Sequence, residues 1–129
     1  MAKQTADVSV RIDPLKIEDW QTYVKLYILE SMRCGAEMVH DIIHSLCDFN
    51  ETRRLIQLRF KHELEIREVQ EIIREMYRDF LIKPAKYVCK CCEEENWPDE
   101  EVLTHVITFQ LSMQGRALIP ENVPNAVGD

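Results

Sequence analysis

Residues 51–83 read ETRRLIQLRFKHELEIREVQEIIREMYRDFLIK and carry the strongest periodicity in the chain. At about 100° per residue, Leu55, Leu58, His62, Ile66, Val69, Ile73, Met76, Tyr77 and Phe80 fall on one helical face. From His62 to Phe80 the apolar steps alternate four and three, the spacing of a heptad seam. Pro84 disfavours any further extension of the helix. The pattern predicts one central helix of about 30 residues, roughly 45–50 Å long. A compact globule of this chain length is only about 30–35 Å across. Part of the seam would therefore project, or meet a second copy. The expected role is a non-enzymatic interaction protein that self-associates as a homodimer through Leu58, His62, Ile66, Val69, Ile73, Met76 and Phe80. A histidine inside such a seam is first a satisfied core residue, and secondarily a device that sets register.

Outward from this stretch, the rest of the chain also reads as helical. Asp13-Pro14 is a helix start, with an acceptor side chain followed by a residue that suits the first helical position. Leu15, Ile17, Trp20, Val24, Tyr27, Ile28 and Met32 continue at helical spacing. Gly35 predicts a break or kink before Ala36, Val39, Ile42, Ile43 and Leu46. Beyond Pro84, a short helix is expected to about Glu94. Pro98 followed by Asp99, Glu100 and Glu101 opens another, carried by Val102, Leu103, Val106, Ile107, Gln110 and Met113 and stopped at Gly115. Val106, Ile107, Thr108 and Phe109 are β-favouring, so a strand is the alternative there. The expected architecture is an all-α helical bundle around the long helix. Its parts would be an N-terminal arm or short strand at 1–12, a helical domain at 13–115 and a tail at 116–129.

The chain has 129 residues and a formal net charge of −7. That field repels nucleic acid and anionic membranes. No stretch approaches the apolar length of a membrane-spanning helix, and the first residues lack the apolar core of a secretory signal. With 3 glycines in total, Gly-rich phosphate loops are not expected. Together with few oxyanion donors in an all-helical chain, this argues against an enzyme. Six carboxylates between Glu93 and Glu101 read as a solvated turn and helix start, or as a surface for a basic partner.

Five cysteines, Cys34, Cys47, Cys89, Cys91 and Cys92, do not have the spacing of a secreted disulfide framework. A reducing intracellular compartment is expected, the cytoplasm first and the nucleus also compatible. In Cys89-Lys90-Cys91-Cys92 a helix would put Cys89 and Cys92 on one side and turn Cys91 away. A structural zinc on Cys89, Cys92, His105 and a fourth group is one reading; small buried hydrophobes is the blander one. No cofactor is otherwise expected. A second ligand-like set, Glu37, His40, His44 and Cys47, lacks the partner motifs that a di-iron bundle needs.

Arg53, Arg54, Lys61, Arg67, Arg74 and Arg78 lie along the predicted rod. A paired helix of that length could contact the phosphates of double-stranded RNA by shape. Glu63, Glu68, Glu71, Glu75 and Asp79 interleave with these cations and partly neutralise them. RNA binding is therefore the second reading and a small zinc protein the third.

Overall fold

The computed structural model describes residues 12–48 and 50–120. In chain order they form a 3-10 turn at Pro14–Lys16, α1 Trp20–Ser31, β1 Glu37–Met38, α2 Val39–Cys47, α3 Asn50–Phe60, α4 Ile66–Arg78, β2 Ile82–Tyr87, α5 Lys90–Glu93, α6 Val102–His105, β3 Val106–Leu111 and α7 Met113–Ala117. The expected bundle is thus corrected to a mixed α/β fold, seven short helices around a three-stranded antiparallel sheet of order β1-β3-β2. The N-terminal arm falls outside the described residues, except Ile12, whose N–H donates to the Leu118 carbonyl at 2.8 Å.

The rod predicted over 51–82 is broken twice. α3 ends where Lys61 turns left-handed, φ 54°, with its N–H on the Gln57 carbonyl. A side chain in that region costs roughly 1–2 kcal/mol, so the turn must be repaid by what it makes room for. It lets Leu64 bury and sets the His62 ring flat on Trp20, centroids 4.0 Å apart and planes 7° apart. Glu65 and Glu68 then cap α4 reciprocally, and the Glu68 carboxylate also meets His62 Nε2 at 2.8 Å. At the other end Phe80 is left-handed as well, φ 62°. Leu81 N–H donates to Met76 O and Phe80 N–H to Tyr77 O, the paired bonds of a Schellman stop built on a non-glycine residue.

Between these breaks α4 turns its apolar face inward. Val69, Ile72, Ile73 and Met76 are buried against Val24, Ile28 and Leu29 of α1, Ile42 and Leu46 of α2, and Phe109 of β3, all in one cluster. The seam residues therefore part company. Val69, Ile73 and Met76 are core, whereas Leu58, Ile66 and Phe80 are 69%, 53% and 68% exposed on three separate segments. No rod outgrows its globule, so the coiled-coil-like and homodimeric expectations lose their basis. The RNA reading loses its platform too, because Arg53 and Arg54 sit on α3, Lys61 in the break, and Arg67, Arg74 and Arg78 on α4.

The sheet forms where β-favouring residues outweigh the helical pattern. Val106 to Leu111 is the central strand, burying Val106, Phe109 and Leu111. β2 pairs with it from Ile82↔Leu111 through Pro84↔Phe109 to Tyr87↔Val106, with register shifts on either side of Lys86. Ser112 N–H donates to Leu81 O, which makes Lys83/Gln110 a hydrogen-bonded pair and leaves Pro84 in the alternate position. Its missing N–H thus faces the free edge, where proline is tolerated. Pro84 does not start a helix. Gly115 does not stop one either: it lies inside α7, and it is glycine because any Cβ there would collide with the Leu81 carbonyl. Ile119, just beyond α7, is buried. The break at Gly35 is present between α1 and β1, and α1 starts at Trp20 under the Asp19 carboxylate, which accepts from Thr22 N–H.

Two outcomes follow from this arrangement. Ile73→Ala should cost about 2–5 kcal/mol in urea unfolding, while Ile66→Ala should cost under about 1 kcal/mol; equal losses would mean that the two residues share a continuous buried seam after all. The second concerns pH. Burial pushes the Glu68 carboxyl up, but hydrogen bonds from His62 and the Glu65 amide, with the charges of His62 and Arg67, outweigh it and hold it below the ordinary glutamate range. A carboxyl lowered on folding adds stability above its unfolded value, about 4.3, and loses it as pH falls through the folded value. The stability gap between wild type and Glu68→Gln should therefore be larger at pH 6 than at pH 3; a pH-independent gap would contradict the ion-paired cap.

Candidate metal centre

The pairing of β2 with β3 continues one residue past the strands: Val88 N–H donates to His105 O at 2.9 Å. The next residue, Cys89, is extended (φ −150°, ψ 167°) and precedes the single turn of α5. Because Cys89 lies outside the helix, the helical wheel does not govern it, and Cys91 points toward it and not away. The Cys89 and Cys91 Sγ atoms are 2.7 Å apart, and those of Cys89 and Cys92 3.4 Å. All three sulfurs lie within 4.8 Å of one another, and among the described residues this is the one set of three or more metal-type ligands that converges so closely.

His105 enters from the end of α6, one residue before β3 begins. Its Nδ1 is 3.4 Å from Cys92 Sγ, although the ring lies outside the common radius of the three sulfurs. Trp97 holds it there. The two rings stack with centroids 3.5 Å apart at 9°, and the indole Nε1 donates to Cys92 O at 2.9 Å. The Trp97 segment is tied to α4 by Tyr77 Oη, which donates to Trp97 O, and by Arg78 against Asp99 at 3.5 Å. Burial raises the Tyr77 phenol, with Tyr87 and Asp99 adding to it.

Tetrahedral zinc with Zn–S bonds of about 2.3 Å separates sulfurs by about 3.8 Å and a sulfur from a nitrogen by about 3.6 Å. The Cys89–Cys92 and Cys92–His105 distances are within a few tenths of these values. The Cys89–Cys91 pair would have to open by about an ångström, which an exposed side chain can do by rotating. Electrostatics favours a cation. Hydrogen bonds from the Cys91 and Cys92 thiols, then from the Cys92 amide, hold the Cys89 thiol below its ordinary value. The same hydrogen bond to Cys89 is the largest cause raising Cys91 and Cys92, with Coulomb repulsion from Cys89 and desolvation adding to both. The first thiolate is favoured at Cys89, and ionising the other two is helped by a positive charge between the sulfurs. Glu93, Glu94 and Glu95 follow the cluster directly in sequence.

The sequence reading named Cys89, Cys92 and His105, which the structure brings together, and turned Cys91 away, which the structure corrects. Cys89 and Cys91 are exposed, so they are not buried hydrophobes; Cys92 is buried. Trp97 was not foreseen as the residue holding His105. The remaining candidates do not converge. Glu37 belongs to β1, Cys47 is buried in the core, and His44 Nδ1 faces the Asp48 carboxylate at 2.8 Å. Arg53 meets Glu63, Arg67 meets Glu65, Arg74 meets Glu71, and Arg78 is shared between Asp79 and Asp99. No protein-family model, curated protein or solved structure matches the chain, so the chemistry of the cluster has to follow from its own geometry.

Alkylation of the folded, zinc-free protein should separate the thiols by exposure and thiolate character. Cys89 should react first, with Cys34 and Cys91 following. Cys92 should need denaturation, as should Cys47, which burial raises before Asp48 adds to it. Mass mapping after a short iodoacetamide pulse reads this order, and modification of Cys47 or Cys92 as fast as Cys89 would contradict the packing described.

Proposed function

We propose that the protein is a small, non-enzymatic zinc-binding domain whose metal is structural, held by Cys89, Cys91, Cys92 and His105. The observation that carries this reading is the convergence of three sulfurs from one segment, with the imidazole at the end of α6 3.4 Å from one of them. Four protein ligands close a coordination shell, which is what distinguishes a structural zinc from a catalytic one. The metal would clamp the end of the β2–β3 pair, where the backbone ladder runs out, to the Trp97 segment. A reducing intracellular compartment is the corresponding location, since thiolate ligands persist only while reduced; the five cysteines are all free thiols. No helix of the described residues is long and apolar enough to cross a membrane.

Reduced, freshly purified protein should carry about one zinc per chain by elemental analysis. Cobalt exchange should give thiolate-to-metal charge-transfer absorption. Cys89→Ser and His105→Ala should each lower zinc affinity by tenfold or more, and Cys34→Ser, at an exposed thiol outside the cluster, should not. Affinity should fall with falling pH, because the ligands must lose protons to bind. Wild-type protein that stays metal-free in micromolar zinc would end this reading.

A further inference from the structure

The same segment has a second capacity that does not depend on a metal. Cys89-Lys90-Cys91-Cys92 places two cysteines at the ends of a Cys-x-x-Cys turn. Cys92 N–H donates to Cys89 O at 3.1 Å, which closes that turn. A closed four-residue turn keeps its end Cα atoms within about 7 Å, and a disulfide spans Cα separations of roughly 4.4–6.8 Å. The Cys89 and Cys92 sulfurs are already 3.4 Å apart. Their surroundings differ in a useful way: Cys89 is open to solvent, whereas Cys92 is buried, its sulfur against His105 Nδ1 and its carbonyl under the Trp97 indole N–H. An incoming sulfur compound meets Cys89 and cannot meet Cys92 first.

Cys91 is the competitor, since its sulfur is only 2.7 Å from Cys89. It is two residues along, however, and belongs to the first turn of α5. A bond to Cys92 keeps the hydrogen bond that closes the Cys89–Cys92 turn, whereas a bond to Cys91 would close a ring one residue shorter.

We infer that Cys89 and Cys92 form a reversible dithiol–disulfide centre whose co-substrates are low-molecular-weight disulfides. The Cys89 thiolate attacks one sulfur of the incoming disulfide. A Cys89 mixed disulfide forms, the original S–S bond breaks, and the first small thiolate leaves and takes up a proton. The Cys92 thiol then loses its proton to solvent and attacks Cys89 Sγ, breaking the mixed disulfide and releasing the second small thiol. The protein loses two electrons and two protons as a dithiol, and one small disulfide is reduced to two thiols. Because the bond consumes two of the proposed zinc ligands, the oxidised form would not hold the metal.

The test uses full-length, zinc-free protein equilibrated with oxidised and reduced glutathione at graded ratios, acid-quenched, alkylated and mapped by mass spectrometry. The expected product is an intramolecular Cys89–Cys92 disulfide, formed and reversed with the ratio, while Cys47 remains a thiol. Cys91→Ser should form the same bond with an equilibrium constant within tenfold of wild type. A Cys89–Cys91 bond, stable glutathione adducts alone, or interchain bonds would each overturn the inference. A parallel zinc titration of the reduced protein separates the two readings of the cluster. Disulfide formation without zinc uptake sinks the structural zinc and leaves this centre standing, and zinc uptake without the disulfide does the reverse.

Discussion

The antiparallel pairing of β2 with β3 is the constraint on which most of this molecule hangs. It joins Ile82–Tyr87 to Val106–Leu111 across a connection that contains every residue of the thiol cluster. Once Tyr87 lies opposite Val106, Val88 must meet His105, and the four-residue thiol segment must begin beside the imidazole. At the other end of the ladder, Leu81 receives the Ser112 amide and leaves room only for a glycine at position 115. Each such backbone bond is worth only about 0.5–1.5 kcal/mol net. Their effect is positional: they convert a separation of 13 residues between Cys92 and His105 into a 3.4 Å contact.

The helices depend on a different balance. A continuous rod over 51–82 would satisfy its backbone but leave Val69, Ile72, Ile73 and Met76 without enough chain to cover them. Two left-handed residues, Lys61 and Phe80, break it. Each is unfavourable by roughly 1–2 kcal/mol, while burying a large aliphatic side chain is worth about 1.5–3 kcal/mol. With four such residues on α4 alone, the folded-back arrangement wins. The break at Lys61 also draws in Trp20, His62 and Glu68 as a stack and a cap. Trp97 on His105 repeats the stack near the other end of α4, where Tyr77 donates to the Trp97 carbonyl.

The candidate centre sits where regular structure runs out. Cys89 leaves the ladder extended, α5 lasts one turn, and the segment to Pro98 is held mainly by Trp97 and its contacts. Three thiols packed this closely cannot all ionise unaided: hydrogen bonds from its neighbours favour the Cys89 thiolate, and that thiolate disfavours ionising Cys91 and Cys92. A divalent cation and a disulfide are the two chemical ways of relieving that crowding. They exclude each other, because both draw on Cys89 and Cys92.

Cys89, Cys92 and His105, which the fold brings close together, stand out in the chain alone because cysteine and histidine announce themselves by identity. The amphipathic faces within α1, α2 and α4, the break at Gly35 and the β-favouring run at Val106–Phe109 were also visible, since these are local properties of neighbouring residues. The sheet, the two breaks and the inward turn of Cys91 were not. Heptad spacing is satisfied equally by a rod that seeks a partner and by two pieces that fold on themselves, and only the competition for a single core separates them. Likewise, Pro84 marks an edge strand and Trp97 a clamp solely because β3, the shared core and a pair of left-handed turns place them there. Sequence determines which side chains can bury or ligate; distant pairing decides which of them meet.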